Sequence, residues 1–114
     1  MSAVRLAFGS FGTFRPYPAN KYTVGHSVYV HKHYRGNGLG RGVLQELISA
    51  VRERDRHAMI GGIDSINTAS IALHEESAFK HVGTFPQLAF KFGRWLDLSF
   101  DQWLLETPAD PVDE

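Results

Sequence analysis

Apolar residues at positions 39, 43, 44, 47, 48 and 51 repeat at the spacing of a single buried helical stripe, and residues 52–55 (Arg, Glu, Arg, Asp) follow as a charged turn. This pattern predicts an amphipathic helix over 39–55. Before it, residues 4–11 (VRLAFGSF) read as a strand weakened by Gly9. Residues 12–21 (GTFRPYPANK) read as a loop, and the β-branched and aromatic run 22–31 (YTVGHSVYVH) as a second strand. After it, the apolar run 57–63 (HAMIGGI) has the length of a buried strand. A second helix is predicted over 68–78, with Asn67 as its N-cap and Ser70 three residues on. Residues 79–92 read as a strand bent at Pro86, and Gly93 and Arg94 as a turn. Residues 95–105 (WLDLSFDQWLL) alternate, with Leu96, Leu98 and Phe100 on one face and Asp97, Ser99 and Asp101 on the other. The predicted order is β-β-α-β-α-β-β. It specifies an α/β fold of the α+β kind, a mixed sheet with one parallel crossover in its middle.

Composition narrows the function classes. The 114 residues suit one domain, assigned to 1–106, with the acidic, proline-containing stretch 107–114 expected as a disordered tail. Twelve basic residues balance twelve acidic ones, which argues against a nucleic-acid binder driven by bulk charge. There is no cysteine, so disulfides and thiolate metal sites are excluded. His31 and His33 have an H-x-H spacing, but with no third ligand placed nearby they read as loop histidines, and no metal is expected. No apolar run is long enough to span a membrane, and no signal peptide is visible at the N-terminus; the expectation is a cytoplasmic protein without membrane partners.

The chemistry concentrates in RGNGLGRG, residues 35–42, between the second strand and the first helix. Glycines there let a ligand approach the unpaired amides at a helix N-terminus, which favours an anion such as a pyrophosphate. The dinucleotide pattern G-x-G-x-x-G fails, because the sixth position is Arg41 or Val43, and no P-loop Gly-Lys-Ser/Thr occurs. What remains is R-x-x-G-x-G at Arg35 to Gly40, either an anion cradle or a flexible glycine-rich lead into the helix.

This loop, together with HSVYVHKHYRGNGLGRGVLQELI, NTASIALHEESAFKHVGT and KFGRWLDLSFDQWLL, resembles the GNAT superfamily of acetyl-CoA-dependent N-acetyltransferases. The likeness is to its phosphinothricin and methionine sulfone acetyltransferase branch and extends over about residues 7–106. The resemblance implies that Arg35, Gly36, Asn37, Gly38, Leu39 and Gly40 hold the pyrophosphate of acetyl-CoA. It puts the backbone of Val28, Tyr29 and Val30 along the pantetheine arm, with Asn67 as a further contact to that arm. His74 falls at the position near the departing thiol. Arg15, Pro16, Tyr17, Gly25, His26 and Ser27 fall where the branch binds its amino-acid-like acceptor. A homodimer is the expected assembly.

Two departures from the pattern bear on activity. The branch usually carries a glutamate, the candidate base, where this chain has Gly25 in Thr23-Val24-Gly25-His26-Ser27. Loss of a general base costs about 10²–10⁴-fold. His26 can substitute chemically, although neighbours on a strand face opposite ways. The likeness also begins after the strands and helices that open the family fold, so a partial GNAT fold is expected. The resemblance therefore implies an N-acetyltransferase acting on methionine sulfone, methionine sulfoximine or phosphinothricin. The alternative is an impaired relative that binds coenzyme A, or dimerises, without useful turnover.

Overall fold

The computed structural model describes residues 7–30 and 38–113. Strand β1 (Ala7–Thr13) pairs antiparallel with β2 (Thr23–Val30), in register from Ala7–Val30 to Thr13–Val24. Helix α1 (Leu39–Glu53) crosses over to β3 (Ala58–Asp64), which runs parallel to β2. Helix α2 (Thr68–Glu76) leads into the hairpin of β4 (Lys80–Lys91) and β5 (Arg94–Leu104). β5 inserts beside β3, giving a five-stranded mixed sheet in the order β1-β2-β3-β5-β4. The element order is the one predicted from the pattern of apolar positions. Among the described residues no helix is long and apolar enough to cross a membrane.

Helix α1 buries the predicted stripe: Leu44, Leu47, Ile48 and Val51 pack with Val24, Met59, Phe79 and Leu105. Full burial of each such side chain is worth about 1.5–3 kcal/mol. The helix starts at Gly38, whose φ of 79° is left-handed and suits glycine. Helix α2 is capped as predicted, the Asn67 side chain accepting from the Ser70 amide at 3.1 Å. The bend at Pro86 is a register shift between Phe85 and Ala89. Gln87 takes φ 51° there and donates its amide to Asp97 Oδ1 at 2.9 Å, which supplies a partner where the ladder is interrupted.

β5 departs from the simple amphipathic reading. Its faces alternate, but the polar face goes inward at Ser99 and Asp101, which are 4% and 1% exposed. β5 is an interior strand of the sheet, so its polar side chains must find partners in the protein. Both turn to His81 on β4: Ser99 Oγ lies 3.0 Å from His81 Nδ1 and Asp101 Oδ1 lies 3.3 Å from the same nitrogen.

Residues beyond β5 run back over the α1–β3 junction. Glu106 pairs with Arg52 at 2.5 Å, Thr107 hydrogen-bonds to Arg56 and His57, and the Val112 amide donates to the Tyr22 hydroxyl. The Arg52 guanidinium holds the Glu106 carboxyl below its ordinary pKa.

Candidate acyl-transfer site

The ladder between β2 and β3 stops at the pair His26–Gly61, while β2 continues to Val30 against β1 alone. The strands part at that point, and the opening holds a cavity of about 550 Å³. Its walls come from three elements: Val28 to Val30 of β2, Gly38, Gly40 and Arg41 at the start of α1, and Asn67, Ser70 and Leu73 of α2. Gly40 allows the two helices to meet, since a Cβ there would lie 2.9 Å from Leu73 Cδ2 and 3.0 Å from Val30 Cγ2. The cavity therefore joins an extended strand to the N-terminal end of α1, where amides and the helix dipole favour an anion. An elongated ligand with an anionic end matches that combination. Arg41 at the rim is paired with Glu76 at 3.1 Å.

Six of the proposed cofactor contacts thus fall together with Asn67: Val28, Tyr29, Val30, Gly38 and Gly40 line the cavity, and Leu39 opens α1 between the two glycines. Arg35, Gly36 and Asn37 lie outside the described residues, as do His31 and His33.

Two histidines separated by 48 positions, one on β2 and one on α2, meet in the interior. His26 Nε2 and His74 Nε2 are 2.9 Å apart. His74 is 2% exposed and His26 9%. Phe79 packs against both rings, with centroids 5.2 Å from His26 and 5.0 Å from His74. Burial, and secondarily the neighbouring His74, pulls the pKa of His26 from 6.5 down to about 4. The pair needs Gly61: a Cβ there would lie 3.0 Å from His26 Cε1 and 3.2 Å from His74 Nε2.

On the other face of the sheet, beside His26, is a smaller cavity of about 330 Å³. Gly12, Gly25, Gly62, Ser27, Phe14 and Phe100 line it. Gly12 and Gly25 are register partners, and a Cβ on Gly25 would meet nothing closer than 4.0 Å. Gly25 and His26 therefore do face opposite sides, as strand geometry requires. Ser27 Oγ lies 3.1 Å from Ser10 Oγ at the rim. Arg15, Pro16 and Tyr17 line a third cavity of about 460 Å³, with Lys21, Arg54 and Arg56, toward the C-terminal end of α1. It shares Phe11 and Gly12 with the second.

The model for the acetyltransferase (GNAT) family matches residues 6–79, more than half of the chain. The chain belongs to the GNAT acetyltransferase family. Within that family, it is 46% identical over 110 residues to the L-methionine sulfoximine/L-methionine sulfone acetyltransferase of Salmonella typhimurium, covering 96% of this chain and 64% of that protein. A Salmonella typhimurium structure solved with its cofactor acetyl-CoA superposes with a TM-score of 0.84 at 46% identity, over 94% of this chain and 62% of that one. A GNAT superfamily phosphinothricin acetyltransferase from Sinorhizobium meliloti, in complex with acetyl-CoA, gives 0.81 at 33% identity, over 96% and 60%. The chain thus spans less than two thirds of the length of these relatives.

Sequence reasoning missed Gly61 and Phe79, which frame the histidine pair, and read Ser70 only as part of the Asn67 cap and not as the carbonyl beside His74. The glycine doublet at 61–62 inside an apolar strand was the available signal, because such glycines mark close approach.

Proposed function

We propose that this GNAT chain transfers an acetyl group from acetyl-CoA to the amino group of a small amino-acid-like acceptor of the methionine sulfone, methionine sulfoximine or phosphinothricin class. The single observation that carries this reading is the strand-parting cavity that brings together β2, the start of α1 and the Asn67-capped α2. Acetyl-CoA is the co-substrate and supplies an activated thioester. Val28, Tyr29 and Val30 would lie along the pantetheine arm, with Asn67 at its side, and residues 35–40 would take the pyrophosphate. The relatives that carry the named substrates support the acceptor class, and the two solved with acetyl-CoA support the co-substrate.

On the acceptor side the proposal assigns Gly25, His26 and Ser27, which border the smaller cavity, and Arg15, Pro16 and Tyr17, which border the adjoining basic one. His26 and His74 are the proposed catalytic pair. A homodimer is part of the same proposal, supported by the exposed Phe90, Phe92 and Trp95 at the hairpin end. Light scattering on the eluting protein tests it, with a dimer mass expected and a monomer mass contrary.

Calorimetric titration with acetyl-CoA followed by a thiol-release assay on methionine sulfone tests the function. Binding with thiol release supports transfer. Binding without release on any of the three acceptors favours the coenzyme A-binding alternative, and no binding removes both. If the side chain missing at Gly25 limits the rate, Gly25→Glu raises kcat by about 10²-fold or more. With His26 carrying the proton, the expected change is below about tenfold, short of the 10²–10⁴-fold that a positioned general base contributes.

A further inference from the structure

Opposite charges balance over the whole chain but not in every region. Nine lysines and arginines fall among the described residues. Three of them pair with carboxylates: Arg41 with Glu76, Arg52 with Glu106 and Arg94 with Asp64. Of the other six, four border one space, the cavity of about 460 Å³ toward the C-terminal end of α1: Arg15, Lys21, Arg54 and Arg56. No aspartate or glutamate is part of its described lining. Three of these cations lie over rings: Arg15 is 4.7 Å from the centre of Tyr17, Lys21 5.2 Å from that of Tyr22, and Arg54 5.5 Å from that of Phe11. Arg56 Nη1 donates to the Arg54 carbonyl at 3.1 Å. Ring faces and a carbonyl orient a cation without cancelling its charge. Lys21 and Arg56 are also half-buried, where a charge gains most from a counter-charge. Attraction to the C-terminus of α1 accounts for Arg54 and Arg56. It does not account for Arg15 and Lys21, which come from the connection between β1 and β2.

We infer that this cavity is an anion site for a small ligand with two or more negative charges, at least one of them on a phosphorus oxyanion. A lone carboxylate brings one charge and two oxygens in a plane, too little for cations that enter from two chain segments. A phosphate brings nearly two charges and three acceptor oxygens set around a tetrahedral centre. Guanidinium forks take such oxygens two at a time. Thr13 and Thr23, where β1 ends and β2 begins, add hydroxyl groups to the lining. The volume falls within the range of small-molecule sites, about 300–1,000 Å³. The site is separate from the one assigned to pyrophosphate. That one lies at the start of α1, and at about 1.5 Å per residue the 15-residue helix sets its two ends about 22 Å apart. Two sources share the required chemistry. One is an acceptor of the phosphinothricin class, whose phosphinate and carboxylate supply two charges, and which would enter from the smaller cavity past the shared Phe11 and Gly12. The other is a free phosphate ester. Only the first source rests on the acetyl-transfer reading above; the anion site itself does not depend on it.

The test titrates the full ¹⁵N-labelled chain at neutral pH and physiological salt, without acetyl-CoA. Inorganic phosphate, phosphinothricin and methionine sulfone are the three probes, and arginine Nε–H and backbone amide signals are followed. Phosphate or phosphinothricin should give saturable changes at the Arg54 and Arg56 side chains and at the Thr13 and Thr23 amides. Methionine sulfone, which has no net charge, should leave them unmoved. Tighter binding of phosphinothricin assigns the acceptor as the source, and tighter binding of phosphate assigns a free ester; either result supports the site. No saturable change with either anion, changes confined to Gly38 and Gly40, or equal changes with methionine sulfone overturns the inference. Arg56→Gln should weaken binding of the anion by about tenfold, the scale of one charge-assisted contact. Lys91→Gln removes an equal charge from the β4–β5 hairpin and should change binding by less than about twofold, since exposed charges at a distance are screened. Equal weakening by the two variants would mean that bulk charge holds the anion, and would overturn the inference. Should Arg56→Gln not fold, Arg54→Gln at its exposed position takes its place with the same expected loss. A chain that binds acetyl-CoA but neither anion overturns this inference and leaves the proposed function intact. A chain that binds phosphate at these arginines but no acetyl-CoA removes the proposed function and supports the site.

Discussion

The helix-covered centre of the sheet and the outer end of the β4–β5 hairpin contain similar kinds of apolar residue but treat them differently. At the centre Leu44, Val51 and Met59 have no exposure. At the hairpin end Phe90, Phe92 and Trp95 are 61%, 78% and 59% exposed. The first region is held by three-dimensional packing, with α1 on β1 and β2 and the histidine pair sealed beneath Phe79. The second is held by the strand ladder and by local ring contacts, such as the edge-on Phe90–Trp95 pair with centroids 5.1 Å apart. The difference teaches where stability and chemistry are coupled. His26 can be buried, and its basicity depressed, only because the same core that stabilises the fold excludes water from it.

That comparison breaks or sharpens under four changes. Leu44→Ala should cost about 2–5 kcal/mol by urea unfolding, the range for a large-to-small change at a fully buried site. A loss below 1 kcal/mol would mean the centre is not the packed region described. Acidification acts next. The folded pKa of His26 is about 4 against 6.5 in the reference state, so between these values the unfolded chain binds more protons. Stability contributed at neutral pH is therefore lost as pH falls from about 6.5 to about 4, by about 3 kcal/mol from this residue. Unfolding followed across that window, in wild type and His26→Gln, isolates the contribution; identical pH slopes would refute it. Asn67→Ala should cost about 1 kcal/mol through the lost cap, measurable by thermal unfolding. Phe92→Ser at the hairpin tip should change monomer stability by no more than about 0.5 kcal/mol. A larger loss, growing with protein concentration, would show that this end is covered by a second copy.

Much of the fold was legible because it is local. The apolar stripe of α1, the Asn67–Ser70 cap and the interruption at Pro86 each depend on residues within one or two turns of one another. The strand order was not legible, since β5 slots between β3 and β4 through pairings that no local pattern records. The inward polar face of β5 escaped notice for the same reason: alternation gives two faces without saying which one the protein covers. At the site, the glycine-rich lead into α1 and the β2 segment could be read from motif and resemblance. The contact between His26 and His74 depends on where β2, β3 and α2 converge, and on the space left by Gly61. The basic lining contributed by Arg54 and Arg56 to the cavity around Arg15 is likewise a product of tertiary folding.

The central claim is that the parted strands and the two helix starts form the acetyl-CoA site. Amide chemical shifts of the ¹⁵N-labelled chain, followed while acetyl-CoA is added, test it most directly. The account predicts saturable changes at Val28, Val30, Gly38, Gly40, Asn67 and Ser70, with Phe90 to Trp95 unmoved. Changes confined to Gly12, Gly62 and the hairpin, or no changes at millimolar acetyl-CoA, would contradict it.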